Sequence, residues 1–292
     1  MKLSPTDLAV RAAPLTFVFF WSTGFIGTKL GMPYAEPMTF LSLRMGVVVA
    51  LLAAIVLIVR PRWPVGVEVA HSAVAGILVH GFYLGGVFVA ISQGVPAGIS
   101  ALIPGLQPIL TSTIANRFMG ERVTPLQWAG LAMGLLGVML VLHDRNIVAS
   151  GSALGWLASF VSLFGITLGA LYQKRFCGAI DWRSGNLIQF FACFVVFGIA
   201  ALAMETRQVI WSGEFIFALF WLSVVLSIFT VALMYWLIKR IPATRGASLF
   251  YLVPATTAVM AWLLFGEKLD ALSIGGIVLC AVAVFIVNLR KV

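Results

Sequence analysis

VPAGISALIPGLQPILTSTIANRFMGER, residues 95–122, returns in altered form as IPATRGASLFYLVPATTAVMAWLLFGEK at residues 241–268. An offset of 146 carries Pro96 onto Pro242, Ala101 onto Ala247, Leu106 onto Leu252, Pro108 onto Pro254 and Gly120-Glu121 onto Gly266-Glu267. The register continues without gaps, pairing Leu126 with Leu272, Gly130 with Gly276 and Val138 with Val284. A match sustained at half the chain length is the trace of an internal duplication, with copies at 1–147 and 148–292. Each copy closes with a proline-interrupted apolar segment, a Gly-Glu corner and a second apolar segment.

Around these segments the chain is too apolar for a soluble domain. Hydrophobic residues make up 61% of it and charged residues 10%, where soluble domains carry about a quarter charged residues. The class that remains is a polytopic membrane protein. The net charge of +9 is scattered between apolar runs, so it forms no basic groove and implies no nucleic-acid partner. Cys177, Cys193 and Cys280 have unrelated spacings and no histidines beside them, so they read as packing residues rather than metal ligands or a disulfide framework. No cofactor is implied. The first apolar run is long enough to span and is followed by no small-residue cleavage site, so it is expected to remain as the first span.

A span needs about 20 apolar residues to cross about 30 Å of hydrocarbon. Runs that meet or approach this lie at 12–31, 37–59, 70–92, 97–118, 124–142, 152–172, 186–204, 214–238, 244–265 and 270–289. They are continuous and long, without the period-2 alternation of a membrane barrel, so the expected fold is all-α with ten transmembrane helices. If the N-terminus is cytoplasmic, fourteen Lys and Arg face the cytoplasm, four face outside and Arg44 lies within a span. That asymmetry follows the positive-inside rule and places both termini in the cytoplasm. Five spans per copy then force the second copy to enter the membrane from the opposite side, an inverted repeat of the kind found in secondary transporters.

Short motifs at these positions resemble those of the drug/metabolite transporter superfamily, in its ten-helix EamA branch. In the first copy they are Trp21-Ser22-Thr23-Gly24-Phe25 with Lys29, Thr39-Phe40 with Arg44, and Pro108 followed by Gly120-Glu121. The second copy supplies Gly169 and Lys174, Ala247, Pro254, Gly266-Glu267 and Gly275-Gly276. The resemblance spans essentially the whole chain and is most similar to amino-acid exporters of the YddG type. It implies outward movement of amino acids and related metabolites across a bacterial inner membrane, with lipid and a small solute as partners and no obligatory protein partner.

Candidate site residues follow from the cost of polarity in lipid. Pro104, Pro108 and Pro254 mark related helix breaks, where freed carbonyls and helix-end dipoles can meet an ammonium or a carboxylate. A kink needed only for packing or hinge motion is the competing account. His80 and Tyr83 share a face near mid-span, and a histidine there should face the bundle interior or water. Its alternative is a neutral side chain bonded to a neighbouring helix. Gln107, Trp21, Tyr172, Trp236 and Tyr251 are further candidates for the same cavity, although polar-tipped aromatics also populate interface belts. Arg44 should pair with a carbonyl or snorkel outward. Glu121 and Glu267 sit in tight corners, where each is expected to cap the helix that follows.

Several chemistries lack their residues. No acidic side chain lies in the central part of any span, leaving His80 as the mid-span group able to carry a proton. There is no P-loop pattern and no nucleophilic or metalloenzyme motif. The expected activity is solute export by alternating access. A drug or sugar-phosphate carrier of the same superfamily, or a non-transporting membrane enzyme or scaffold, are the alternatives.

Overall fold

The computed structural model describes residues 5–118, 124–141, 151–238, 249–267 and 270–288. Among the described residues, helix forms ten stretches. The first two are α1 (Pro5–Gly31) and α2 (Pro37–Val59). α3 runs through Val67–Gly76, a π-helical stretch Ile77–Leu84 and Gly85–Ser92. α4 comprises Ala97–Leu102, a 3-10 turn Pro104–Leu106 and Gln107–Phe118. Then come α5 (Pro125–Val141), α6 (Ala153–Phe176) and α7 (Trp182–Met204). α8 joins Gly213–Phe220, a π-helical stretch Trp221–Thr230 and Val231–Ile238. A 3-10 turn Leu249–Tyr251 leads into α9 (Leu252–Phe265), and α10 is Ala271–Asn288.

Six of these helices are long and apolar enough to cross a membrane, and α9 and α10 add shorter apolar helices. Leu57, Ile58, Ile199, Leu202 and Leu263 are exposed, as lipid-facing positions should be. The described residues contain no strand, only one isolated antiparallel bridge between Ala35 and Val209. The fold is that of an all-α polytopic membrane protein.

Helix ends depart from the apolar runs where polar residues set them. α6 continues to Phe176 rather than 172, and α7 begins at Trp182 rather than 186. Asp181 Oδ1 accepts from the Arg183 amide at 2.9 Å and so fixes the start of α7. Ser152 Oγ accepts from the Gly155 amide at 3.1 Å and starts α6. Part of the run expected at 244–265 lies outside the described residues, as do 142 and 289.

Packing divides the chain into two compact units, one drawn from Gly27–Pro96 and Ala149–Ile228, the other from Met1–Ile26, Ala97–Val148 and Phe229–Val292. Each unit therefore takes helices from both sequence copies.

In the first of these units α2 packs on α7, and α3 packs on α6 and α7. Lipid gives no hydrophobic drive for such association, so close approach through small residues matters. A Cβ added to Gly86 would lie 2.4 Å from the Ala158 carbonyl oxygen, and one on Gly165 would lie 2.7 Å from the Tyr83 nitrogen. Gly169, one turn further along α6, meets Val79 in the same way. Phe40, Met45, Phe88 and Phe190, together with Phe215 of α8, fill the core of this unit.

At one end of this unit two carboxylates are exchanged between loops. Glu205, just beyond α7, accepts from the Met38 and Thr39 amides at 2.7 Å each and caps α2. Glu36, at the start of α2, accepts from the Thr206 amide and hydroxyl at 2.7 Å each and from the Arg207 amide at 3.1 Å. The bonds to Thr206 are the main reason its carboxyl is held below the ordinary carboxylate value.

In the other unit α5 and α10 are in close contact. A Cβ on Gly137 would lie 2.7 Å from both the Cys280 sulfur and the Gly276 carbonyl oxygen. The Cys280 thiol points at the Gly134 carbonyl at 3.7 Å, and these two positions are the ones that the 146-residue offset equates. The first turns of α4 approach α9 at Gly98 and Ala258. Ser22 of α1 directs its hydroxyl to Val18 and Val253 carbonyls at 2.7 and 3.3 Å.

Candidate functional site

In the unit containing α4 and α9, α4 is interrupted by a 3-10 turn and α9 is led into by one. The 146-residue offset carries the 3-10 turn Pro104–Leu106 onto 250–252, one residue from the turn Leu249–Tyr251. Pro104 opens the first turn, while Pro108 and Pro254 fall at the second and third positions of the helices that restart afterwards. In a first turn the amide has no intrahelical acceptor, so proline is tolerated and helps to set the restart. The prolines are thus placed at helix starts beside 3-10 turns, where the sequence reading has them mark helix breaks.

The 3-10 turn of α4 touches the start of α9. A Cβ on Gly105 would lie 2.6 Å from Pro254 Cγ, so only glycine admits this approach. Gln107 is buried and its Oε1 has no partner among the described residues, nor do the hydroxyls of Ser100 and Thr111 on α4 and Thr257 on α9. Trp21 is partly buried and meets Phe250 edge-on at 5.2 Å and Phe17 at 5.2 Å. Trp236 is partly buried in α8. Tyr251 ends the second 3-10 turn, and its side chain lies outside the description.

The other unit holds His80, Tyr83, Tyr172 and Arg44. His80 and Tyr83 are buried within the π-helical stretch of α3. The offset takes Ile77–Leu84 onto 223–230, inside the π-helical stretch of α8. Such stretches are rare and occur frequently at functional sites, and here both copies have one at the same place. The His80 ring stacks on Phe190 with centroids 4.2 Å apart, and its Nε2 has no partner among the described residues. Arg44, 2% exposed, donates from Nη2 to Ser227 Oγ in the α8 stretch at 3.0 Å. Ser227 in turn donates to the Leu222 carbonyl at 3.0 Å. Arg44 also lies within electrostatic reach of Tyr83 and His80.

Arg44 therefore neither snorkels nor pairs with a carbonyl. Its partner is a hydroxyl 183 residues away. Ser223 and Ser227 were not legible as site residues, although hydroxyls four apart in an apolar run were a signal. Tyr172 lies near the end of α6, where its hydroxyl bonds His71 Nδ1 at 2.7 Å and its ring packs on Phe176. Glu121 lies outside the described residues. Glu267 has its Oε2 3.7 Å from a Cβ built on Gly98, beside the first turn of α4. The start of α10 is capped by Asp270, which accepts from the Ser273 amide at 2.8 Å, because Asp270 is the residue immediately before that helix. Among the described residues no group of three His, Cys, Asp or Glu side chains is placed to hold a metal ion.

Two stretches, 12–143 and 153–289, each match the EamA-like transporter family. The chain belongs to the EamA-like transporter family. Among the relatives of this EamA-like chain, the "Probable amino-acid metabolite efflux pump" of Escherichia coli K12 is 25% identical over 282 residues, covering 93% of this chain and 92% of that protein. The "Uncharacterized inner membrane transporter YedA" of the same strain is 25% identical, over 95% of this chain and 90% of its own length. A crystal structure at 19% identity shares the fold, with a TM-score of 0.72 and 96% of both chains covered. As an EamA-like member of the drug/metabolite transporter superfamily, the chain is an integral membrane transporter.

Proposed function

We propose that this transporter exports amino acids and related small metabolites across the bacterial inner membrane by alternating access. Its termini are cytoplasmic, and the copies 1–147 and 148–292 are inverted about an axis in the membrane plane. The observation that carries this reading is the pair of related 3-10 turns, one within α4 and one at the start of α9, whose neighbourhoods meet at Gly105 and Pro254, with buried polar atoms on the same two helices that have no partner among the described residues. Interrupted helices at related positions of a repeat are where transporters of this architecture bind solute, because helix ends and free polar groups replace the water that the solute sheds. The approach of Gly134 to Cys280, equivalent positions of the two copies, supports the pseudo-two-fold relation. The efflux-pump relative supports the solute class.

Purified protein in liposomes, offered amino acids, sugars, phosphorylated compounds and cationic drugs, is expected to move amino acids. Flux confined to any of the other classes refutes the assignment. Transport is facilitated diffusion or, if proton-linked, depends on His80. The His80→Gln variant keeps a polar side chain but cannot titrate near neutral pH. If an imposed pH gradient drives accumulation in the wild type and still does so in this variant, the proton travels by another residue.

A further inference from the structure

Among the described residues Arg44 is a guanidinium without an anion. It has five N–H donors, yet among the described residues it has one hydrogen-bond partner, Ser227, and its buried Nε has none. No carboxylate among the described residues pairs with it. Holding two helices together at one serine does not require a charge. A buried charge lacking a counter-ion is destabilising, and apolar or amide side chains can bridge helices without that penalty.

The atoms left over around it share one property. Arg44 Nε, His80 Nε2 and Ser223 Oγ are all buried and have no partner among the described residues. Ser223 lies about one turn before Ser227 on the same π-helical stretch, and His80 belongs to the corresponding stretch of α3 within electrostatic reach of Arg44. Each of the three can donate a proton to a hydrogen bond, with neutral His80 in its Nε2–H tautomer. The complement of such a set is a group that only accepts. A carboxylate is that group, and its two oxygens match the Nε and Nη edge of a guanidinium in a bidentate pair.

We propose that Arg44, between the π-helical stretches of α3 and α8, is a second binding station, contained in its own unit, that takes the carboxylate of the transported solute, with His80 and Ser223 as additional donors. This rests on the reading of the chain as an amino-acid transporter. The site is closed in the conformation described, since Arg44 is 2% exposed. Opening it requires movement of α3 or α8. Each carries its π-helical stretch beside Arg44, and return of such a stretch to α-helical geometry re-registers the residues that follow it.

The test compares acid with amide on the wild-type protein, so it does not depend on a variant folding. Thermal stability of purified protein in detergent, followed by tryptophan fluorescence, is measured with each proteinogenic amino acid, its α-amide, sodium benzoate as a minimal carboxylate and sodium chloride. At least one amino acid is expected to stabilise the protein, and its amide to need about tenfold more or beyond, the loss that follows removal of a charge-assisted pair. Arg44→Gln should abolish the difference between acid and amide, while Arg44→Lys keeps part of it. Equal stabilisation by acid and amide, an equal effect of chloride, or an unchanged preference for the acid in a monodisperse Arg44→Gln protein each overturn the proposal. If amino acids cross liposomes but bind no better than their amides, the transport reading stands and the Arg44 site falls. Arg44-dependent binding of benzoate without any amino-acid flux supports the site and removes the amino-acid assignment. Binding of neither acid nor benzoate overturns the site, and an ordered water then satisfies the buried donors.

Discussion

Replacing Gly86 with alanine puts a carbon where the α3–α6 interface has no room. The new Cβ would sit 2.4 Å from the Ala158 carbonyl oxygen, 2.8 Å from Ser162 Cβ and 2.9 Å from the Ser162 amide nitrogen. Two of these are backbone atoms and cannot rotate away. A relaxed carbon–oxygen contact needs about 3.3 Å, so the helices must part by roughly 1 Å. That separation loosens the same interface at Gly165 and Gly169, where α6 lies against Tyr83 and Val79. Overpacking of this kind costs about 1–3 kcal/mol, against a gain of under about 1 kcal/mol from alanine's higher helix propensity. The net expectation is a clear loss in equilibrium unfolding from mixed micelles. Gly275→Ala is the control, since nothing lies within 4 Å of its added carbon, and it should be neutral or slightly stabilising. A Gly86→Ala protein as stable as wild type, or an equal loss in Gly275→Ala, would refute the close-packing argument.

Pro108→Ala and Pro254→Ala remove residues from first turns, so each should change stability by less than about 1 kcal/mol while slowing transport in liposomes; unchanged rates in both leave the prolines a packing role only. In a background lacking Cys177, Cys193 and Cys280, single cysteines near Tyr34, Asn146, Ser212 and Asp270 should label from outside and those near Trp63 or Ala179 should not; the opposite pattern reverses the topology. Glu36 has a carboxyl lowered below 4.5, so its stabilising contribution is complete above that value and disappears as pH falls through the lower folded value. The difference in melting temperature between wild type and Glu36→Gln should therefore be constant near neutrality and vanish in strong acid, and a difference that grows on acidification contradicts the sign.

The helices were legible because lipid imposes a coarse rule: apolar runs long enough to cross must satisfy their backbone groups internally. Their ends were less so. α7 starts four residues earlier than its apolar run because Asp181 can cap it, and a capping bond leaves little mark on hydropathy. The prolines announced a break in α4 and an irregular start to α9, yet whether each sits in mid-helix or in a first turn depends on the 3-10 turns beside them. His80 and Tyr83 stood out as polar residues deep in a span, whereas Ser223 and Ser227 acquire meaning only from Arg44.

By itself the sequence determined an all-α membrane protein built from two copies, because hydropathy and a constant offset are properties of the chain read along its length. The tertiary structure decided which residues meet. Arg44 reaches Ser227 across 183 positions, Glu205 caps a helix that begins at Pro37, and Gly105 lies against Pro254. The two π-helical stretches arise from the same cause, since an extra residue in a helical turn is held by what packs against it and not by local propensity. Contacts between distant helices follow from side-chain shape and small-residue spacing on both partners at once, and one strand of text carries only half of each.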